Sequence, residues 1–301
     1  MRTARYYAPL LLCLCVGRAL ASTPIQLNHD ATSTAHISVS NVAGSVTVIA
    51  WDRNEVEVRG QLGDGTKPLA ITGTSSNLAI KVEPQGSSGL FNWSGDSRMG
   101  SSTLELHVPK AASLDVGVVS APLVIDGIEG GSIAVNTVSG RTRINARAPT
   151  LKVESVSGNI ELAGHADKAD LQTVSGDILA PALGSDAKLQ TISGRIQADG
   201  GPWKSLTLST VSGSVQLGGA LAAGGKLGID SMSGDVQLQL PAATSGRLHA
   251  SSFSGDLRSD FGTPQKPEHG PGSSLDARLG DGQGTINVET FSGDLRIRKQ
   301  N

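Results

Sequence analysis

The chain of 301 residues contains 38 glycines, while aromatic residues make up only 3% of it. This composition does not support a core built around aromatic rings. The 27 acidic and 25 basic residues give a net charge of −2, which argues against a general binder of nucleic acids or anionic membranes.

Residues 1–21 have the features of a secretory signal peptide. Arg2 and Arg5 supply its positive start, a short apolar run follows, and Ala19-Leu20-Ala21 forms an A-x-A cleavage site. The apolar run is shorter than the roughly 20 residues that a membrane-spanning helix needs. We therefore expect an exported protein of the periplasm or cell surface, with no transmembrane segment after cleavage.

Both cysteines, Cys13 and Cys15, lie within the signal peptide. The mature chain, residues 22–301, therefore contains no cysteine and forms no disulfide, so packing and backbone pairing must stabilise it. It keeps 22 basic and 27 acidic residues, for a net charge near −5. We expect this mature chain to form one continuous domain.

The first part of the mature chain contains short segments in which apolar and polar residues alternate, as they do in half-buried strands. These segments are 42–48, 56–58, 78–82 and 104–108. They are a less regular version of the repeat that follows.

A stretch rich in Gly and Ser, 84–102, interrupts these segments, and we expect it to be a loop excursion. It carries two aromatic residues, Phe91 and Trp93. Aromatic side chains on such a loop either bind a partner or fold back onto the protein. The first alternative makes Phe91 and Trp93 candidate binding residues for an envelope glycan or protein.

From residue 139 onward, a Ser-Gly pair recurs with nearly constant spacing. Its serines are Ser139, Ser157, Ser175, Ser193, Ser212, Ser233, Ser254 and Ser292. They are 18, 18, 18, 19, 21, 21 and 38 residues apart, so the last step corresponds to about two repeats. Internal repetition of this kind is typical of proteins built from stacked units.

Aligned on the serine, the repeats share two apolar columns. The position before the serine holds Val138, Val156, Val174, Ile192, Val211, Met232, Phe253 and Phe291. The third position after it holds Ile160, Ile178, Ile196, Val215, Val236, Leu257 and Leu295. Apolar residues also lie four and six positions before the serine, so their parity changes across the Ser-Gly pair. The chain must therefore bend there, where glycine tolerates the positive φ of a corner.

These columns predict an all-β fold, a single-stranded parallel β-solenoid (β-helix) of about 18–21 residues per coil. Each coil would be one rung of a stack, with equivalent residues in line. An antiparallel sandwich or barrel is the alternative, but hairpins give no reason for one motif at one fixed corner. The handedness rule for parallel crossovers favours a right-handed coil.

Charged residues form columns in the same alignment. Asp235 and Asp256, two positions after the serine, are expected one rung apart, as an acidic strip or as a solvated corner. Lys152, Asp170 and Lys188 alternate in sign and predict charge pairing between rungs. The six histidines lack metal-ligand spacing, and we expect neither a metal nor a cofactor.

Residues 260–273, rich in Gly and Pro, are expected to be a second loop excursion. A strand pattern resumes at 275–279, and the following 280–284 predict a turn.

The residues also resemble a known family. The repeated Val-Ser-Gly-x-Ile, Leu106-His107-Val108-Pro109 before the repeats, and the closing Phe291-Ser292-Gly293-Asp294-Leu295 are similar to the bacterial putative-adhesin family of exported β-strand-repeat proteins. The resemblance covers roughly residues 36–299. It implies a β-solenoid in the cell envelope and brings no established catalytic residues.

We expect a non-enzymatic, adhesin-like binding or scaffold protein that presents an extended surface to an envelope protein or glycan. One alternative is a polysaccharide-active β-helix enzyme, which would need converging acid, base and cation ligands. Another is a self-assembling envelope structural protein, in which Arg296, Arg298 and Lys299 would protect the edge of the solenoid end.

Signal cleavage is directly testable. We expect N-terminal sequencing of the exported protein to begin at Ser22, because the A-x-A site ends at Ala21. Exported protein that still begins at Met1 would contradict this prediction.

Overall fold

A computed structural model of the chain describes residues 23–85, 99–268 and 271–300. The predicted signal peptide, 1–21, lies outside the described residues, as do Phe91 and Trp93. The described residues contain 21 strands and no helix. The predicted all-β class is therefore confirmed.

The strands follow one another along the chain, with most loops short. They are β1 (Thr23–Asp30), β2 (His36–Trp51), β3 (Glu55–Leu62), β4 (Ile71–Thr74), β5 (Asn77–Lys81), β6 (Ser102–Pro109), β7 (Ser113–Ser120), β8 (Leu123–Glu129), β9 (Ile133–Ser139), β10 (Thr142–Ser155), β11 (Ile160–Leu162), β12 (His165–Thr173), β13 (Ile178–Thr191), β14 (Ile196–Thr210), β15 (Val215–Ser233), β16 (Val236–Pro241), β17 (Gly246–Ser254), β18 (Leu257–Ser259), β19 (Ser273–Leu279), β20 (Gly284–Ser292) and β21 (Leu295–Gln300).

Two stacks of paired strands run through the molecule, one on each side of the Ser-Gly corner. The stack before the corner has the order β4–β5–β2–β7–β9–β10–β12–β13–β14–β15–β20–β17–β19. The stack after it has the order β1–β3–β6–β2–β8–β10–β11–β13–β14–β15–β16–β21–β18. Long strands such as β10 contribute to both.

Neighbouring repeats pair in parallel, as the repeat predicts, but the ends of the stacks do not. β1, β3 and β6 pair antiparallel, as do β4 with β5 and β17 with β19. Antiparallel strands can follow each other through short turns, whereas parallel ones need a longer return. Of these pairs, only β4 and β5 follow each other directly through a short turn; at least one other strand lies between the members of each of the remaining pairs.

The last rungs are stacked out of sequence order. β20 lies between β15 and β17, and β21 lies between β16 and β18. After the 260–273 excursion, β19 runs antiparallel to β17. The final coil, β20 and β21, then lies in the stack between the coil of β15 and β16 and the coil of β17 and β18. β18, not β21, is therefore the end strand over residues 295–297, so the prediction that Arg296 protects that end is wrong. Arg298 and Lys299 lie beyond the end of β18, and their protective role stays a prediction.

The core lies between the two stacks and consists of in-line aliphatic columns. Ile178 and Ile196 are register partners, and each is at most 1% exposed. Leu206 and Leu208 of β14 are buried in the same way on the other stack. Each aliphatic side chain fully buried in such a column contributes roughly 1.5–3 kcal/mol relative to an exposed one.

The corner depends on close backbone contact between rungs. A Cβ at Gly176 would overlap the carbonyl oxygen of Gly158, and a Cβ at Gly194 would overlap that of Gly176. Neither Gly176 nor Gly194 has a positive φ. The prediction that these two glycines supply positive φ is therefore wrong, and the space for a neighbouring carbonyl is the reason they are glycine.

Buried hydroxyl side chains hold the corner from inside. Ser155 accepts a hydrogen bond from the Gly158 N–H at 2.9 Å, and Thr173 donates to the Gly158 carbonyl at 3.3 Å. The equivalent Thr191 donates to the Gly176 carbonyl at 3.4 Å. These residues belong to an inner Ser/Thr column, two positions before each corner serine.

The two faces of β14 give one test of the core. Ile196→Ala should lower the free energy of unfolding by about 2–5 kcal/mol, because it leaves a cavity in a packed column. Gln197→Ala, at the exposed next position, should change it by less than about 0.5 kcal/mol. Urea unfolding of both variants measures the difference, and equally mild effects would contradict the assigned faces.

The corner contact gives a second test. Gly176→Ala should destabilise the protein by about 1–3 kcal/mol, because the added methyl forces two rungs apart. Gly228→Ala is the matched control, since a Cβ there meets nothing within 4 Å and should be neutral or stabilise by up to about 1 kcal/mol. Equal unfolding midpoints for the two variants would refute the crowding explanation.

Candidate functional site: a groove beside the corner

An apolar ladder runs along the outside of the molecule. Ten of the twelve large hydrophobic residues that are exposed in the described structure stand in one column, each 39% to 60% exposed. In spatial order they are Val42, Val119, Val138, Val156, Val174, Ile192, Val211, Met232, Phe291 and Phe253. Nine steps of about 4.8 Å give the ladder a length of about 43 Å.

Eight of the ten ladder residues occupy the position before a serine of the Ser-Gly repeat, whereas Val119 precedes Ser120 and Val42 precedes Ala43. The inner Ser/Thr column, one position earlier, points inward, so the ladder residue must point outward. Parity relative to the buried Leu206 and Leu208 could have predicted this exposure from the sequence. The column is apolar, yet it belongs to the surface.

A polar column faces the apolar ladder across a groove. It consists, in spatial order, of Glu154, Gln172, Gln190, Ser209, Asp230, Glu289 and Ser251, three positions before each corner serine. The groove spans seven rungs, has a volume of about 1260 Å³, and has the inner Ser/Thr column along its floor. An open channel with one aliphatic wall and one hydrogen-bonding wall results.

The groove is bordered by an aromatic pair and a loop at one end. The rings of Phe253 and Phe291 are stacked, with centroids 4.8 Å apart and planes at 11°. The second excursion, 260–273, lies beside them and contributes Lys266, Pro267 and Pro271 to the lining. Paired backbone hydrogen bonds of 2.7 and 2.9 Å between Gln265 and Ser274 fix this loop.

Three of the seven residues of the polar column are acidic and none is basic. Asp230 and Glu289 are register partners on adjacent rungs. Partial burial, and secondly the charge of Glu289, raise the pKa of Asp230 above its ordinary value. Glu289 accepts a hydrogen bond of 2.8 Å from Asn287. Lys266 is the one basic residue among the described residues that line the groove.

The acidic strip at the corner has a structural use. Asp294 lies between Asp235 and Asp256, so the prediction that these two are one rung apart is wrong. Asp235 accepts from the Asp294 N–H at 3.1 Å, and Asp294 accepts from the Asp256 N–H at 3.2 Å. Arg296 and Arg258 pair with Asp294 and Asp256 at 2.7 and 3.3 Å. The carboxylates thus join rungs together.

The alternating charges fall into the predicted register, with Lys152 beside Asp170 and Asp170 beside Lys188. The ion pair of Lys152, however, is with Glu154 on its own strand, at 2.8 Å. This hydrogen bond and the charge of Glu154 raise the pKa of Lys152. Asp170 accepts instead from Gln172 at 2.9 Å.

Across 23–85, 99–268 and 271–300, no three His, Cys, Asp or Glu side chains are grouped so that they could hold a metal ion. The described chain also offers no helix of sufficient length and apolarity to cross a membrane.

Comparison with known proteins gives a family match and several similar structures. A family model described as Toastrack DUF4097 matches residues 34–298. No curated protein matches the chain. A putative adhesin from Bacteroides fragilis is 12% identical, with 92% of this chain and 98% of that chain covered and a TM-score of 0.43.

Two further structures come from Parabacteroides. A putative adhesin from Parabacteroides merdae is 11% identical, with 92% and 96% of the two chains covered and a TM-score of 0.40. A putative lipid binding protein from Parabacteroides distasonis is 14% identical, with 92% and 97% covered and a TM-score of 0.37. Likeness at this level does not identify a ligand.

Proposed function

This chain belongs to the Toastrack DUF4097 family, and we propose that it is a non-enzymatic binding protein that holds an extended partner in the groove beside its corner. The observation that carries this proposal is the apolar ladder. Contiguous exposed apolar surface is uncommon on proteins without partners and usually marks an interaction site. Here ten such side chains are aligned along one direction, which suits an elongated partner.

The rigidity of the stack supports the same role. Several ladder residues directly follow a paired strand, as Val156 follows β10 and Val174 follows β12. Backbone hydrogen bonds between rungs continue there, with Ser175 N–H donating to the Val156 carbonyl and Ser193 N–H to the Val174 carbonyl, both at 2.9 Å. Little backbone ordering is therefore needed on binding. The inner Ser/Thr column and corner glycines set the spacing of the walls. A preformed channel of this kind binds without a folding step.

A catalytic use of the groove is less well supported. Glycosidases place two carboxyl groups on either side of the bond that is cleaved. Asp230 and Glu289 are neighbours on the same wall, so they would face one side of a bound chain. The opposite wall is aliphatic and aromatic, without an acid or base.

The stacked repeats are taken as coils of a right-handed parallel β-solenoid, forming one domain over residues 22–301. The mature chain would act in the periplasm or at the cell surface after removal of residues 1–21. Phe91 and Trp93 stay candidate contacts for the same envelope partner. A scaffold role for the whole stack also stays a candidate function.

The groove is tested by removing its apolar wall. Purified variants would be sedimented with envelope fragments from the native host. Ile192→Ser combined with Val211→Ser and Met232→Ser should weaken binding at least about tenfold, because buried apolar anchors dominate interface energy. The unfolding midpoint should change little, since these side chains are exposed.

Val124→Ser with Leu179→Ser is the matched control, because both residues are exposed hydrophobics outside the ladder. This control should bind like the unmodified protein. A folded ladder variant that sediments as well as the control would rule out the groove as the binding site.

A further inference from the structure

On the basis of the binding role proposed above, we infer that the partner in the groove is a linear glycan without anionic groups. The two walls differ in chemistry along their whole length. One carries Val174, Ile192, Val211, Met232, Phe291 and Phe253, and the other carries carboxamide, carboxylate and hydroxyl groups. A pyranose ring has the same division, with C–H groups on its faces and hydroxyls at its edge.

The hydrogen-bonding wall suits hydroxyl ligands in particular. Gln172 and Gln190 are half-buried register partners, and each amide group both donates and accepts. Ser209 adds a hydroxyl on the next rung. Sugar hydroxyls also donate and accept, so successive rungs can satisfy successive sugar units. The Phe253–Phe291 pair offers the aromatic surface that C–H faces pack against.

An acyl chain fits less well. It would cover the polar wall without offering a hydrogen bond to Gln190 or Ser209, and desolvating polar groups without partners is costly. An extended polypeptide would ordinarily bind by adding a strand to an open sheet edge. The groove runs across strands such as β13 and β14 that are already paired on both sides, so that mode is closed.

Charge decides between classes of glycan. Glu154, Asp230 and Glu289 line the groove, but Lys152 balances the charge of Glu154 at 2.8 Å, so the net negative charge lies at Asp230 and Glu289. Lys266 is the only described cation among the lining residues. Asp230 and Glu289 are register partners, and burial, followed by the charge of Glu289, raises the pKa of Asp230. Carboxylate, sulfate or phosphate groups on a ligand would add to the repulsion between these two carboxylates. Uncharged sugars, and sugars that carry amines, meet no such penalty.

The experiment compares oligosaccharides of one length by isothermal titration calorimetry. Uncharged probes are the oligomers of N-acetylglucosamine, glucose and mannose, and the anionic probe is the oligomer of galacturonic acid. At least one uncharged oligomer should bind about tenfold or more tightly than the galacturonate oligomer, given the charge of the groove. Phe253→Ala with Phe291→Ala should weaken that binding at least about tenfold, whereas Val124→Ala should leave it unchanged.

A charge-removing variant tests the electrostatic step separately. Asp230→Asn with Glu289→Gln keeps hydrogen-bonding side chains on the wall but removes two negative charges. It should bring the galacturonate oligomer to within about threefold of the uncharged one, because the repulsion has been removed. The readout is the ratio of the two affinities on the same variant, because Asp230 and Glu289 belong to the hydrogen-bonding wall and their substitution can change both affinities. A ratio that stays at about tenfold or more would overturn the electrostatic step.

The failures of the two proposals differ. If galacturonate binds the unmodified protein as well as any uncharged oligomer, or if none of the oligomers binds, the glycan inference is overturned. If the glycan inference is overturned but the ladder variant still binds envelope fragments more weakly than the control, the groove remains the proposed binding site. Its partner is then of another class, such as a peptide. If the ladder variant binds the envelope fragments as well as the control does, both proposals are overturned.

Discussion

The contact between backbones at the corner is the constraint on which the rest of the structure depends. Gly158, Gly176 and Gly194 stack so closely that the carbonyl oxygen of one occupies the space of a side chain on the next. Any other residue there would separate the rungs. The glycine column therefore keeps the strands on both sides of the corner within hydrogen-bonding distance over successive repeats.

Close stacking also determines which residues reach the surface. The inner Ser/Thr column must point toward the corner glycines, where the hydroxyls of Ser155, Thr173 and Thr191 bond to the backbone. The residues on either side of it in sequence must then point outward, and they form the two walls of the groove. The proposed binding surface is thus a direct consequence of how the corner is built.

Much of this could be predicted from the sequence. The Ser-Gly spacing and the columns of Ile178 and Ile196 predicted stacked, parallel rungs, because period-2 patterning and a fixed repeat leave few other folds. The direction of β19 could not be predicted, since Ser273–Leu279 alternates just as a parallel strand would. The entry of β20 and β21 one rung early was hidden for the same reason, and with it the adjacency of Asp294 to Asp235.

Part of the candidate site could also be predicted from the sequence. The ladder is apolar in the sequence, and its parity relative to Leu206 and Leu208 marks it as outward-facing. Apolar character alone does not reveal that the ladder is exposed, because an apolar column in a β-strand protein usually belongs to the core. The placement of Lys266 and Pro267 beside the groove depends on the path of an irregular loop, which carries no periodic signal. Phe91 and Trp93 stay predictions.

The central claim is that rung stacking, and not sequence order, aligns the ladder. Engineered cysteines test it cleanly, because the mature chain has no cysteine of its own. Met232→Cys with Phe291→Cys should form a disulfide readily, since rung neighbours lie about 4.8 Å apart. Met232→Cys with Phe253→Cys should not, because two rungs exceed the roughly 7 Å limit for a disulfide. Efficient bridging of 232 to 253, with none between 232 and 291, would contradict the account.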